Sequence, residues 1–183
     1  FASGELIRQR LEGLQIVGLS SVRAEVSALA VCAGEAPDEL ALVVLRPSGD
    51  LALLDPTTGQ LVEGPPGAGA HALAAGERRL AWASQAGVTV YDVPGERPLG
   101  QLPSATPPVA VAVAPDGSWL ACAYQDGRIA LHDARTPALA LLGVADLGPA
   151  RDFAVVLHAA SDGRLLVGTR RGAVLRFEVL GSK

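Results

Sequence analysis

The sequence predicts an all-β fold of repeated antiparallel units, and three observations carry that prediction. Glycine (21 of 183 residues) and proline (13) are spread along the whole length, so turn formers keep interrupting apolar runs of Ala, Val and Leu that are too short for long helices. The unit Val109 to Asp133, VAVAVAPDGSWLACAYQDGRIALHD, sets an apolar run, a Pro-Asp-Gly turn, a second apolar run, a Gln-Asp-Gly turn and a third, alternating run that ends on an acid. The same plan recurs as LVVLRPSGDLALLD ending at Asp55, LAWASQAGVTVYD ending at Asp92 and LLVGTRRGAVLRFE ending at Glu178. The glycines of the second turn, Gly49, Gly87, Gly127 and Gly172, are separated by 38, 40 and 45 residues, and the terminal acids Asp55, Asp92, Asp133 and Glu178 by 37, 41 and 45. Two markers that keep one period of roughly 40 to 45 residues read as blades of a β-propeller.

Each element follows from local chemistry. Residues 1–24 form an N-terminal strand segment, either a closing strand or the remnant of a preceding blade; Gly4 to Gly13 reads as strand in preference to a short helix, and Leu14 to Ser20 (LQIVGLS) is apolar enough to serve as a strand of either kind. Blades are expected at 25–64, 65–103, 104–145 and 146–180. Glycine supplies the positive φ that the second turns need, and the Asp beside it bonds to nearby backbone. Alternation such as Val88-Val90, or Ile129-Leu131 against Arg128-Ala130-His132, suits strands packed between neighbouring blades. Outer fourth strands fall at Gln60 to Glu63, Pro98 to Leu102 and Ala138 to Gly143, and nothing comparable follows Glu178, so the C-terminal blade lacks its own outer strand. Four four-stranded blades are fewer than a ring of about seven. The expectation is therefore part of a larger ring, with a compact four-bladed propeller as the alternative. A chain that opens at Phe1 inside ordinary folded sequence and has no Met reads as a piece of something longer.

Composition narrows the function. A net charge of −4 gives no basic footprint for phosphate-driven binding to nucleic acid. No apolar stretch approaches the roughly 20 residues of a membrane helix, and no signal peptide opens the chain. Cys32 and Cys122 lie in apolar runs outside any CxxC pair, where thiols act as small buried hydrophobes, so a cytoplasmic, reducing location is expected and a disulfide framework is not.

Motifs for chemistry are absent at the right spacing. His71, His132, His158, Cys32 and Cys122 stand in different segments, so no metal or other cofactor is expected. There is no GxSxG elbow, and Gly64-Pro65-Pro66-Gly67-Ala68-Gly69 has no GK[ST] after it and reads as an inter-blade loop. Asp50, Asp116, Asp126 and Asp162 occupy β-turns, where a bond to backbone explains them. Trp82 and Trp119, read as holding similar places in their second strands, are blade-packing residues first and recognition anchors second. Arg8, Arg10, Arg78, Arg79, Arg164, Arg170, Arg171 and Arg176 read as surface residues at turns and sheet edges.

The blade VAVAPDGSWLACAYQDGRIALHD resembles a WD40 repeat, with Pro115-Asp116-Gly117 at its first turn, Asp126-Gly127 at its second and His132-Asp133 where that family has Trp-Asp. The likeness runs over roughly residues 25 to 179. It departs from the family in having no Gly-His dipeptide and in placing Leu54, Tyr91, His132 and Phe177 at the Trp position. The resemblance implies a non-enzymatic protein–protein interaction or assembly scaffold, the propeller portion of a larger multidomain regulatory protein, whose partner is a protein or peptide or another domain of its parent chain. Binding is expected at the blade turns, through Asp116, Asp126 and Arg171. Asp55, Asp92, Asp133 and Glu178 are expected as structural markers. Two alternatives make different demands: a propeller enzyme needs His71 and His158 to converge on a central channel, and an RNA-binding ribonucleoprotein component needs the arginines to form one face.

Overall fold

The computed structural model of the chain describes residues 4–12, 15–33, 40–54, 60–67, 69–93, 97–148 and 152–179, with side chains from residue 25 onward apart from 33 and 40. Its strands lie where apolar residues run between turn formers. An N-terminal hairpin joins β1 (Gly4–Glu12) to β2 (Gln15–Ala24). Blade 1 contains β3 (Ala28–Ala33), β4 (Leu40–Leu45), β5 (Leu51–Leu54) and β6 (Leu61–Glu63), and blade 2 contains β7 (Ala72–Ala75), β8 (Arg79–Ser84), β9 (Gly87–Asp92) and β10 (Arg97–Pro103). Blade 3 follows with β11 (Pro108–Val113), β12 (Trp119–Tyr124), β13 (Arg128–Asp133) and β14 (Leu141–Asp146). Blade 4 has β15 (Ala154–Ala159), β16 (Arg164–Thr169) and β17 (Val174–Glu178). Every sheet is an antiparallel meander in chain order, four-stranded in blades 1 to 3 and three-stranded in blade 4. This is the architecture of a β-propeller.

The N-terminal segment, expected as a closing strand or as the remnant of a preceding blade, is a hairpin in which β2 pairs with β1, and among the described residues β17 pairs with β16 alone. One detail differs from the sequence reading. The outer strand of blade 3 begins at Leu141, not at Ala138, because Leu139 takes a positive φ of 45° and turns the chain inward, where it is 2% exposed. Propensity reads Ala-Leu-Ala-Leu as extended, but a buried anchor at Leu139 overrides it.

The blades stack face to face, and the period of two along each strand sorts residues between neighbours. Cys32, Val43, Leu45, Leu51, Leu80 and Trp82 fill the core between blades 1 and 2. Val88, Val90, Val111, Leu120, Cys122 and Leu139 fill that between blades 2 and 3, and Ala112, Trp119, Ala121, Ile129, Leu165 and Val167 that between blades 3 and 4. A fully buried leucine such as Leu80 or Leu120 contributes about 1.5–3 kcal/mol from area removed from water. Among the described residues no apolar cluster joins blade 4 to blade 1, and Leu29 and Val31 of β3 and Val155 and Val156 of β15 remain exposed. No helix among the described residues is long and apolar enough to cross a membrane.

Candidate functional site

The turns between second and third strands, together with the loops that join blades, form one end of the molecule. Gly127 takes φ 92° in the β12–β13 turn, a conformation that disfavours any residue with a Cβ. Each inter-blade loop is laced to this end twice. It donates to the turn of the blade it leaves, through Ala70 N–H to Gly49 O (3.1 Å), Ser104 N–H to Ala86 O (3.3 Å) and Leu147 N–H to Gly127 O (2.9 Å). Its far end meets the blade it enters, through His71 N–H to Ala83 O (2.9 Å), Gln125 N–H to Pro107 O (3.4 Å) and Arg170 N–H to Phe153 O (3.0 Å). Backbone that is hydrogen-bonded on both sides is held in place, so the polar side chains on it project from a defined surface.

Asp126 and Arg171 both lie at this end. Desolvation works to raise the Asp126 pKa, but the Arg128 N–H and guanidinium, which donate to it at 3.1 and 2.7 Å, together with the guanidinium charge hold its carboxyl below the usual range. Arg128 also lies over the Tyr124 ring at 5.7 Å, and Arg170 over Phe153 at 5.3 Å. Arg171 N–H donates to Asp152 Oδ1 at 3.3 Å. Asp116 sits at the opposite end, in the β11–β12 turn, where Ser118 donates through both hydroxyl (2.6 Å) and N–H (3.0 Å) and lowers its pKa. The three residues expected to bind thus divide between two ends.

The acids that close the third strands are also at the Asp116 end, and each is used differently. Asp92 pairs with Arg79, whose Nε donates to Ala134 O at 3.2 Å and so ties blade 2 to blade 3. Asp133 accepts from the Arg135 side chain at 2.9 and 2.7 Å and from its N–H at 2.9 Å, and these bonds push its pKa down to about 2. Glu178 is exposed opposite Arg164, which turns to Asp162 at 3.0 Å. Asp55 lies outside the described residues. At the Trp position, the His132 ring shares a 2.9 Å bond with Leu139 O, and its Nε2 is buried with no partner among the described residues.

Four inner strands line a central cavity of about 640 Å³ that includes Val31, Cys32, Val111, Glu77 and His158. His71 is not in its wall. That imidazole precedes β7, with Nε2 2.7 Å from Pro108 O, so the two histidines do not converge. Among the described residues no group of three His, Cys, Asp or Glu side chains could hold a metal ion. The described arginines do not share one face either, since Arg79 and Arg164 belong to the Asp116 end and Arg170 and Arg171 to the other. Trp82 and Trp119 are both buried but not equivalent. Trp119 faces Asp133 as Arg79 faces Asp92, whereas Trp82 faces Thr89 in mid-strand. Sequence reasoning passed over the Arg79 bridge, although its position opposite the terminal acid was a usable signal.

No protein-family model and no curated protein sequence matches the chain. Solved structures do. The computationally designed Ika4 protein is 19% identical, covering 84% of this chain and 92% of its own, with a TM-score of 0.63. The β-propeller domain of Myceliophteria thermophila Cps50 (Swd1) is 19% identical over 86% of this chain and 53% of its own, with a TM-score of 0.63. The C-terminal WD40 domain of Sif2 is 15% identical over 91% of this chain and 50% of its own, with a TM-score of 0.64. The fold is a β-propeller, similar to that of the Cps50 propeller and of the WD40 domain of Sif2. This chain spans about half the length of those two propeller chains.

Proposed function

We propose that this WD40-like chain is a non-catalytic protein–protein interaction or assembly scaffold, working in the cytoplasm as the propeller portion of a larger multidomain regulatory protein. One observation carries the reading: the turns of three blades are fastened to the inter-blade loops by backbone hydrogen bonds, and this presents Asp126, Arg128, Arg170 and Arg171 from a preorganised surface. Charged groups fixed in this way favour a partner with complementary charge. Asp116, at the other end, would mark a second contact. The buried thiols Cys32 and Cys122, both free, support a reducing compartment. The test is affinity capture from cell extract with the chain as bait, beside Asp126→Arg/Arg171→Glu and Asp116→Lys variants that melt like the parent. A protein retained by the parent and lost from the double variant supports the scaffold and locates its face. Identical proteins retained by all three baits, or none above a folded control, would remove the basis for the proposal.

A further inference from the structure

The outer strands of blades 1 to 3 treat their free edges differently. β6 is three residues long and ends on Glu63, and β10 carries Arg97, Pro98, Gln101 and Pro103. Short length, charge and proline are devices that keep the edge of a sheet from pairing with another sheet. β14 has none of them before its last residue, and its Leu141, Leu142 and Val144 are each more than half exposed. Pro137, Ala138 and Ala140, exposed as well, extend the apolar surface ahead of the strand.

The exposure of Leu141 and Val144 is a property of blades 2 and 3. Leu141 faces His132 and Val144 faces Ala130, and because Leu142 is bulged between them both stand on one side of the sheet. On that side Ala130 joins the core shared with blade 2. The equivalent places on β10 are Pro98, opposite Tyr91, and Gln101, opposite Thr89; both are exposed too, but they are filled by a proline and an amide. The backbone edge of β14 is free as well. Asp133 N–H donates to Ala140 O at 2.8 Å and Leu147 N–H to Gly127 O at 2.9 Å, so by antiparallel alternation Val144 and Asp146 turn their N–H and C=O groups away from β13. Among the described residues no strand lies beyond β14.

We infer that β14 pairs with β14 of a second copy of this chain, antiparallel about a twofold axis at Leu142–Gly143. Leu141 of each copy then lies beside Val144 of the other, and the two third blades join into one continuous sheet across the rim. A twofold contact requires a surface that complements itself, and here charge supplies the complement. Residues 136–145 carry no charge, with Arg135 directly before them and Asp146 directly after. Both of those side chains belong to exposed residues. Antiparallel copies carry each Arg135 toward the Asp146 of the other, whereas parallel copies would set like charges together. The contact leaves the face that carries Arg170 and Arg171 free for another protein.

Sedimentation equilibrium of the chain, loaded from about 5 to 500 µM, tests the pairing, because an interface of this small size binds weakly. The average mass is expected to climb from one chain toward two. Val144→Lys sets a charge on the exposed edge without entering the core and should raise the dissociation constant at least about tenfold, while Gln101→Lys, at the same place on β10, leaves it unchanged. Asp146→Arg and Arg135→Asp should each weaken the dimer, and the two together should restore it. Every variant is first shown to melt like the parent. A single-chain mass at every loading, a dimer that Val144→Lys leaves intact, or a double charge exchange no tighter than either single one overturns the inference. If Val156→Asp dissolves a dimer that Val144→Lys does not, the copies meet instead on the exposed inner strand of blade 4.

Discussion

Blades 3 and 4 are built on the same plan, yet the residues they bury differ. In β12 all six residues are buried and in β11 five of six, whereas β15 buries only Ala154 and Leu157, and β16 buries only alternate positions, Leu165, Val167 and Thr169. Equivalent register positions show the contrast directly: Ala112 is 3% exposed against blade 4, while His158, its counterpart one blade on, is exposed. Among the described residues, blade 3 has a neighbour on both faces and blade 4 on one. A repeat sequence thus encodes apolar faces in pairs, and their burial is decided by what stands next to the blade, a property of the array.

The largest expected effect lies in the inner strands. Val111→Asp puts an unpaired carboxylate into the core between blades 2 and 3 and should cost about 3–5 kcal/mol, whereas Val156→Asp, at a position 56% exposed, should cost less than about 1 kcal/mol; paired denaturant melts measure both. Comparable losses at the two sites would mean that blade 4 is covered on its far face. Next come the second strands, where Leu120→Ala should destabilise by about 2–5 kcal/mol and Leu166→Ala by roughly 1 kcal/mol, read by the same melts.

Smaller effects sharpen the comparison. Arg79→Ala breaks the bridge from Asp92 to Ala134 O and should cost about 1–2 kcal/mol, with no counterpart at the exposed Arg164, whose partner Asp162 belongs to the same turn. Smallest is the pH-dependent contribution of Asp133. Its folded pKa, depressed to about 2, makes it stabilising above its unfolded value near 3.8, and that stabilisation is lost as pH falls through about 2. Exposure of Arg135 keeps the contribution below about 1 kcal/mol, so Asp133→Asn should lower the melting temperature slightly at pH 7 and leave it unchanged near pH 2.

What the sequence made legible was whatever depends on local chemistry. The positive-φ glycines Gly49, Gly87, Gly127 and Gly172 stand where turn spacing put them, and Asp116, Asp126 and Asp162 bond to the N–H two residues on, as their turn positions predicted. Features that depend on a neighbouring blade were not readable. Leu139 looked like strand because the glycine it covers, Gly100, lies in another blade, and the sequence left the N-terminal segment open between a closing strand and the remnant of a preceding blade because the pairing of β2 with β1 is a matter of register. The candidate site was read only in part. Its turns were located correctly, but the antiparallel meander that separates Asp116 from Asp126 and Arg171 was not applied to them.

Hydrogen–deuterium exchange of the native chain, followed by mass spectrometry on peptides covering β12 and β16, tests most directly the claim that blade 3 is covered on both faces and blade 4 on one. The account predicts that amides of residues 119–124 exchange only at the rate of global unfolding, while those of 164–169 exchange markedly faster. Equal, global protection of the two strands would contradict it.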